Sequence, residues 1–451
     1  MIGFFHLIKK YTQNYKKEQQ QSFNMSHFDE TNAYLCDFLS PSSGNAMKKL
    51  SISLFTFCLI LGLTQQAQAQ CFEDPPGSGN FVTALGEPCV NTIITAVPFL
   101  RIAPDARSAA MGDAGIAVSA DANALHFNAS KLAFAEDNGG VAVTYTPWLR
   151  ALNVNDVYLA YLSGFLKIGD EDLEAVGFGL RYFSLGDIAF TDENGMPLGN
   201  GRPNEFEVNG AYSRKLSDKL AVGLAAKFIF SNLAAGQEVG GEEITAGIAG
   251  AADLSFTYTT EVEMNSGTSN LTIGGAVSNI GSKITYTNSI NKDFIPANLG
   301  IGAAWDLDLD EFNRFTVALD VNKLLAPTPD PSQADLDGDG VPDFRQVSTF
   351  SGILNSFSDA PGGFSEELRE LMFSVGIEYW YDKQFAVRAG YFHEDSTKGN
   401  RKYFTVGLGL KYNVFGLNIS YLVPTTNQRN PLDNTLRFSL LFDFTAYESD
   451  L

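Results

Sequence analysis

Tyr403-Phe404-Thr405-Val406-Gly407-Leu408-Gly409-Leu410-Lys411-Tyr412 is an unbroken two-residue alternation. Side chains of a strand point to opposite sides in turn, so Phe404, Val406, Leu408, Leu410 and Tyr412 share one apolar face, while Tyr403, Thr405, Gly407, Gly409 and Lys411 share a small or polar one. The split recurs. Leu436, Phe438, Leu440, Phe442 and Phe444 oppose Thr435, Arg437, Ser439 and Asp443; Phe315, Val317, Leu319 and Val321 oppose Thr316, Ala318 and Asp320. A soluble β-protein would pack the apolar face on a second sheet, but here the other face carries glycines and charges suited to a wet lumen. The pattern implies a membrane β-barrel.

The chain has 451 residues and is 45% hydrophobic, and no segment after residue 70 is a helical span of about 20 apolar residues, so strands must do the crossing. The one long apolar run, Leu50 to Leu63, follows Met47-Lys48-Lys49 and precedes Ala67-Gln68-Ala69. Charged start, apolar centre and small-x-small site read as a signal peptide over residues 47–69. Residues 1–46, ahead of that methionine, then read as an over-extended gene start. Cleavage near Ala69 leaves Cys71 and Cys89, for which an oxidising compartment favours a disulfide; a lipid anchor on Cys71 is the alternative, though Gln68 stands where such signals usually have leucine. A net charge of -21 argues against a nucleic-acid partner.

Splitting the alternating region 139–444 at its turn signals gives fourteen strands, an even number, with spans near 140–148, 155–167, 172–186, 204–215, 217–231, 244–260, 269–280, 296–307, 311–324, 370–382, 384–395, 400–413, 415–424 and 433–444. Tight connections such as Lys215 to Lys219 and Tyr381 to Gln384 alternate with longer ones rich in Gly, Pro, Asn and Asp, as short periplasmic turns and long external loops would. Only Thr260 to Asn270 is longer than a periplasmic turn should be. The connection from 323 to 369 is far too long to be a mere link. Within it Asp335, Asp337, Asp339 and Asp343 stand at positions 1, 3, 5 and 9 of a calcium-loop pattern with Gly340 at 6, but Gln346 replaces the closing glutamate at 12. Calcium and a solvated acidic turn both stay open. Further on, Phe357 and Phe364 flank Asp359 and turn formers, with a short acidic helix expected from Ser365; the aromatics either contact a partner or fold over the barrel mouth. Residues 445–451 form a short tail.

Between Asn91 and Gly139 the two-residue period is absent and small residues dominate. Pro104 and Asp105 suit a helix start and Gly112 a helix end. Within the N-terminal segment 70–138, this stretch is expected to be a lumen plug, with a periplasmic cap as the alternative.

Ala110-Met111-Gly112-Asp113-Ala114-Gly115-Ile116 followed by Asp121-Ala122-Asn123-Ala124-Leu125-His126-Phe127-Asn128-Ala129-Ser130 resembles the hatch of FadL-class long-chain fatty acid transporters, except that Asn128-Ala129-Ser130 replaces their usual Asn-Pro-Ala. The resemblance assigns the plug residues Asp105, Arg107, Asp113 and Asn128. A more extensive resemblance, over Pro98 to Arg107, Tyr145 to Leu149, Arg181 to Ile188, Ser356 to Glu367, Lys398 to Phe404 and Gln428 to Phe438, is to the PorV family of FadL-like outer-membrane proteins of the type IX secretion system in Bacteroidota. It implies an all-β, FadL-like transmembrane antiparallel β-barrel of about 14 strands with a small N-terminal helical plug. It also implies a carrier that binds the C-terminal signal domain of secreted cargo, receives it from an SprA-type translocon and delivers it to a PorU-type attachment complex, in contact with outer-membrane lipid. Trp148, Phe357, Asp359, Phe364 and Arg429 are the partner-binding candidates.

No Gly-x-Ser-x-Gly elbow, His-Glu-x-x-His helix or phosphate loop supports an enzyme, and His393 near a strand end is ordinary. No cofactor is required. The serious rival is a FadL-type transporter of fatty acids or other hydrophobic molecules; a diffusion porin is disfavoured by the plug. Inward Gly407, Gly409, Arg388 and Asp320 suit a filled or polar interior better than an apolar conduit.

Overall fold

The computed structural model describes residues 72–73, 81–82, 92–149, 154, 156–169, 172–191, 196–239, 242–263, 268–287, 292–329, 338, 341, 343–360, 363–425 and 435–444. Fourteen strands close into one barrel: β1 (Gly139–Pro147), β2 (Val157–Ile168), β3 (Glu174–Leu185), β4 (Asn204–Lys215), β5 (Leu220–Asn232), β6 (Gly247–Glu263), β7 (Thr268–Gly281), β8 (Asn298–Asp308), β9 (Asn313–Leu324), β10 (Leu371–Tyr381), β11 (Phe385–His393), β12 (Lys402–Tyr412), β13 (Phe415–Pro424) and β14 (Leu436–Phe444). Each pairs antiparallel with its chain neighbour. The last seam joins β14 to β1 from Phe438 opposite Tyr145 to Phe444 opposite Gly139, so the closed wall itself has no edge with unpaired amides.

The expected strand boundaries fall within three residues of the observed ones throughout. One expectation is corrected. The overlong turn after Thr260 is not a loop, because β6 and β7 run on and pair Glu261 with Asn270, Val262 with Ser269 and Glu263 with Thr268. Short connections then lie at one end of the barrel and long ones at the other.

The faces divide as the alternation requires. Phe404, Val406, Leu408 and Leu410 are exposed on the outer wall, while Tyr403 and Thr405 are buried inside; Val317 and Leu319 face out, Thr316 and Asp320 in. In lipid the outer band needs no second sheet. The inward charges answer one another across strands: Arg181 of β3 pairs with Glu207 of β4, and Lys227 of β5 reaches Asp253 of β6 at 2.7 Å and Asn279 of β7 at 2.9 Å. Arg181 and Glu207 are fully buried, and a buried charge is tolerable only when paired in this way.

Residues 92–138 fill the bore. They contain a 3-10 turn (Pro98–Arg101), α1 (Ala106–Ala110), α2 (Ala124–Phe127) and a second 3-10 turn (Ala129–Phe134). Asp105 caps α1 by accepting from the Ser108 amide at 2.8 Å, and Gly112 leaves the helix with φ +68, as the sequence predicts for start and stop. The plug expectation is met and the cap alternative is not.

Small residues let the plug backbone lie directly on the wall. A Cβ at Gly390 would stand 2.1 Å from the Met111 carbonyl carbon and the Gly112 nitrogen, and its cross-strand partner Gly376 meets Met111 in the same way. No other residue fits there.

Candidate functional site

Two regions carry candidate residues: the plug, and the excursion between β9 and β10.

In the plug, three of the four sequence-assigned residues, Arg107, Asp113 and Asn128, bond the wall, while Asp105 caps α1 within the plug. Arg107 donates from Nε and Nη2 to the Glu378 carboxylate of β10 at 3.0 and 2.8 Å, and Arg388 of β11 donates to the same carboxylate at 2.5 Å. Asp113 accepts from the Tyr403 hydroxyl at 2.5 Å. Asn128 donates to the Ile116 carbonyl and to the Thr257 hydroxyl of β6 at 3.1 and 3.0 Å, and its own carbonyl accepts from Ser130. From the wall, Asp320 accepts the amides of Gly115 and Ile116 at 2.7 and 2.9 Å. A plug held this way is fastened by charge and backbone hydrogen bonds as well as by packing. Inward Arg388 and Asp320 therefore belong to a filled interior. A mixed-charge cavity of about 670 Å³ lies beneath, lined by Arg107, Asp121, Lys131, Asp306, Arg314 and Lys411 among others.

The excursion after β9 carries α3 (Asp343–Gln346), α4 (Thr349–Asn355) and α5 (Phe364–Arg369), the last starting one residue earlier than expected. α5 is inverted relative to an ordinary surface helix. Its acids Glu366 and Glu367, with Glu370 just beyond, are buried, whereas Phe364 is 77% exposed and Leu368 50%. Two lysines turn the acids inward. Lys323 at the end of β9 bonds Glu367 at 2.8 Å and Glu370 at 2.6 Å, and Lys398 from the loop after β11 bonds Glu366 at 2.7 Å and Glu370 at 2.9 Å. Thr328 and the Ala360 amide complete the clasp, donating to Glu370 and Glu367. Asp359 accepts from the Thr328 amide at 3.3 Å, and burial, with Glu367 and Glu370 adding, pushes its carboxyl up to about 6 against the opposing Thr328 bond. Burial alone would raise Glu370, but bonds from Lys323, Thr328 and Lys398 hold it below its ordinary value.

α4 repeats the exposure. Phe350 is 71% exposed, Leu354 follows it one turn on at 56%, and Phe357, just past the end of the helix, is exposed as well. Sequence reasoning singled out Phe357 and Phe364 but missed Phe350, Leu354 and Leu368. The four-residue spacings Phe350/Leu354 and Phe364/Leu368 were the available signal.

Trp148 is different. It is 8% exposed and packs its ring 4.9 Å from Phe183 in the apolar cluster under the mouth, so it is a core residue and not a surface contact. Arg429, the cysteines Cys71 and Cys89, and Asp335, Asp337 and Asp339 of the acidic run lie outside the described residues; Asp343 opens α3. Among the described residues no group of three or more His, Cys, Asp or Glu is placed to hold a metal.

A family model described as "Type IX secretion system protein PorV" matches residues 87–331. The comparison with curated proteins gives no match. Similar solved structures include a TodX monoaromatic hydrocarbon channel mutant, with 14% identity, 75% of this chain and 96% of that chain covered and a TM-score of 0.43. The toluene transporter TbuX of Ralstonia pickettii has 12% identity over 75% of this chain and 98% of that one, with a TM-score of 0.43. A Pseudomonas aeruginosa FadL homologue has 10% identity over 79% and 100%, with a TM-score of 0.37.

Proposed function

The chain belongs to the PorV family of type IX secretion system proteins, and from that membership we propose that this outer-membrane barrel is a cargo carrier. It binds the C-terminal signal domain of secreted proteins as they leave an SprA-type translocon and passes them to a PorU-type attachment complex. The observation that carries this reading is the outward apolar face of α4 and α5. Phe350, Leu354, Phe357, Phe364 and Leu368 are each exposed on one excursion, and apolar exposure concentrated in this way supports an interaction site. The buried clasp of Lys323 and Lys398 on three glutamates supports the same reading, because it holds α5 in the orientation that shows its apolar side to the outside. No bond is made or broken in this role; the work is binding and hand-over.

The rival is lateral transport of a hydrophobic molecule through the bore. The ion-paired plug speaks for a bore kept filled. Deleting the chain distinguishes the two. The carrier reading expects secreted proteins with the shared C-terminal domain to be lost from the surface while fatty-acid uptake continues; normal surface anchoring with lost uptake would reject it.

A further inference from the structure

At the short-turn rim, neighbouring strands end almost level with each other at every seam but one. The Asp382 amide closes β9–β10 on the Phe312 carbonyl at 2.7 Å, Lys215 closes β3–β4 on Leu173 at 2.8 Å, and Lys411 closes β11–β12 on Gln384 at 2.7 Å, with at most one strand residue beyond the bond. At the β5–β6 seam the last such bond runs from the Thr259 amide to the Lys219 carbonyl at 2.8 Å, yet β6 continues through Thr260, Glu261, Val262 and Glu263. Four residues of strand reach about 13 Å. The overrun is held extended from its other side, where β7 pairs with it as far as Thr268 and the Ser269 hydroxyl donates to the Val262 carbonyl at 2.7 Å. In an antiparallel ladder, alternate residues turn both backbone groups the same way. Thr259 bonds towards β5 and Val262 towards β7, so Glu261 and Glu263 aim their N–H and C=O at the open side, where no described residue meets them.

We propose that this free edge is a docking site for an extended basic segment of a periplasmic protein, which adds to β6 as a further strand. An edge of unpaired amides is a template for such addition. The charges select the occupant. Glu261 and Glu263 are exposed, two apart on one face of β6, and Asp218 is exposed in the turn that borders the open side; Lys219 of that turn directs its ammonium to the Thr260 hydroxyl at 3.1 Å. A strand laid along β6 brings its own alternate side chains opposite the two glutamates, so lysine or arginine at every second position matches them. An apolar residue between those bases falls beside Val262, which is 38% exposed. A second copy of this chain is the wrong occupant, because edge-to-edge pairing sets glutamate against glutamate. Short turns of such barrels face the periplasm, so the site lies at the opposite end from α4 and α5 and does not depend on the cargo reading.

Peptide binding tests it. The full chain in phosphatidylcholine nanodiscs is titrated, by fluorescence anisotropy, with a short capped peptide of alternating lysine and valine, with the glutamate–valine counterpart, and with the lysine peptide N-methylated at its backbone amides. Saturable binding of the lysine peptide alone is expected, weakened at least tenfold in the barrel carrying Glu261→Lys with Glu263→Lys. Binding that survives N-methylation would show charge attraction without strand addition, and equal binding to the native and substituted barrels would put the peptide elsewhere. Either result overturns the proposal, as does the absence of saturable binding or equal binding of the glutamate peptide. Should the substituted barrel fail to assemble, the N-methylated peptide against the native barrel gives the decision by itself.

Discussion

Arg107 of the plug and Glu378 of β10 form a two-pronged ion pair across the lumen, at 2.8 and 3.0 Å, with Arg388 on the far side of the same carboxylate. The pair joins the plug to the wall that surrounds it. Removing the shared carboxylate with Glu378→Ala leaves two guanidinium groups buried without their partner, and breaking a buried pair in this way costs about 3–5 kcal/mol. The plug, not the barrel, should feel it. Hydrogen exchange of amides in 106–116 is expected to speed up more than tenfold while the barrel keeps its heat-resistant folded mobility on gels. Unchanged protection of those amides would show that the ion pair does not hold the plug.

The glycine sockets predict a steric failure. Gly390→Ala puts a methyl 2.1 Å from the plug backbone, where neither side can yield without moving the main chain, and overpacking of this kind costs about 1–3 kcal/mol or more. In planar bilayers the native barrel is expected to be closed and Gly390→Ala to show frequent open-channel events. The outward Gly250, with nothing within 4 Å of an added Cβ, serves as the comparison, and Gly250→Ala should stay closed. Equal conductance of the two variants would contradict the close contact.

Asp359 gives the excursion a pH dependence of definite sign. Its folded value of about 6 lies above the ordinary 3.8, so between those limits the folded excursion binds more protons than the unfolded one and its stability falls as pH rises. Glu370 works the other way: its folded value is depressed, and its contribution is lost only as pH falls through the acid range below its ordinary value. Protection of the α5 amides, corrected for intrinsic exchange, should therefore decrease from pH 4.5 to 6.5. Asp359→Asn is expected to flatten that slope; a slope that survives the substitution would assign it to another group.

The strands were legible because a period of two is a strong local signal, and Tyr403 to Tyr412 carries it without interruption. Trp148 was misread for the opposite reason. Nothing local distinguishes an aromatic in a loop from one in a core, and only the arrival of Phe99 and its neighbours from the plug builds the cluster that buries it. α5 was legible as a helix but not as an inverted one. Its glutamates read as a solvent face until Lys323 and Lys398 are brought in from 44 and 32 residues away. The plug fell between these cases: its caps at Asp105 and Gly112 were written locally, whereas Glu378 and Asp320 gave no sign that they would meet it.

The central claim is that the outside of this barrel, and the α4–α5 face in particular, does the work. Phe357→Ser with Phe364→Ser and Leu368→Ser removes apolar surface that touches solvent, and exposed substitutions of this kind shift stability by only about 0.5 kcal/mol each. The most direct measurement is affinity purification of the native and triply substituted chains from outer membranes, with quantitative identification of what comes with them. The native chain is expected to bring down secreted proteins sharing a C-terminal domain together with a very large barrel partner, and the substituted chain, folded to the same melting temperature, to lose at least tenfold of both. Undiminished recovery of both by the substituted chain, or recovery of bound lipid and no protein by the native one, would contradict the account.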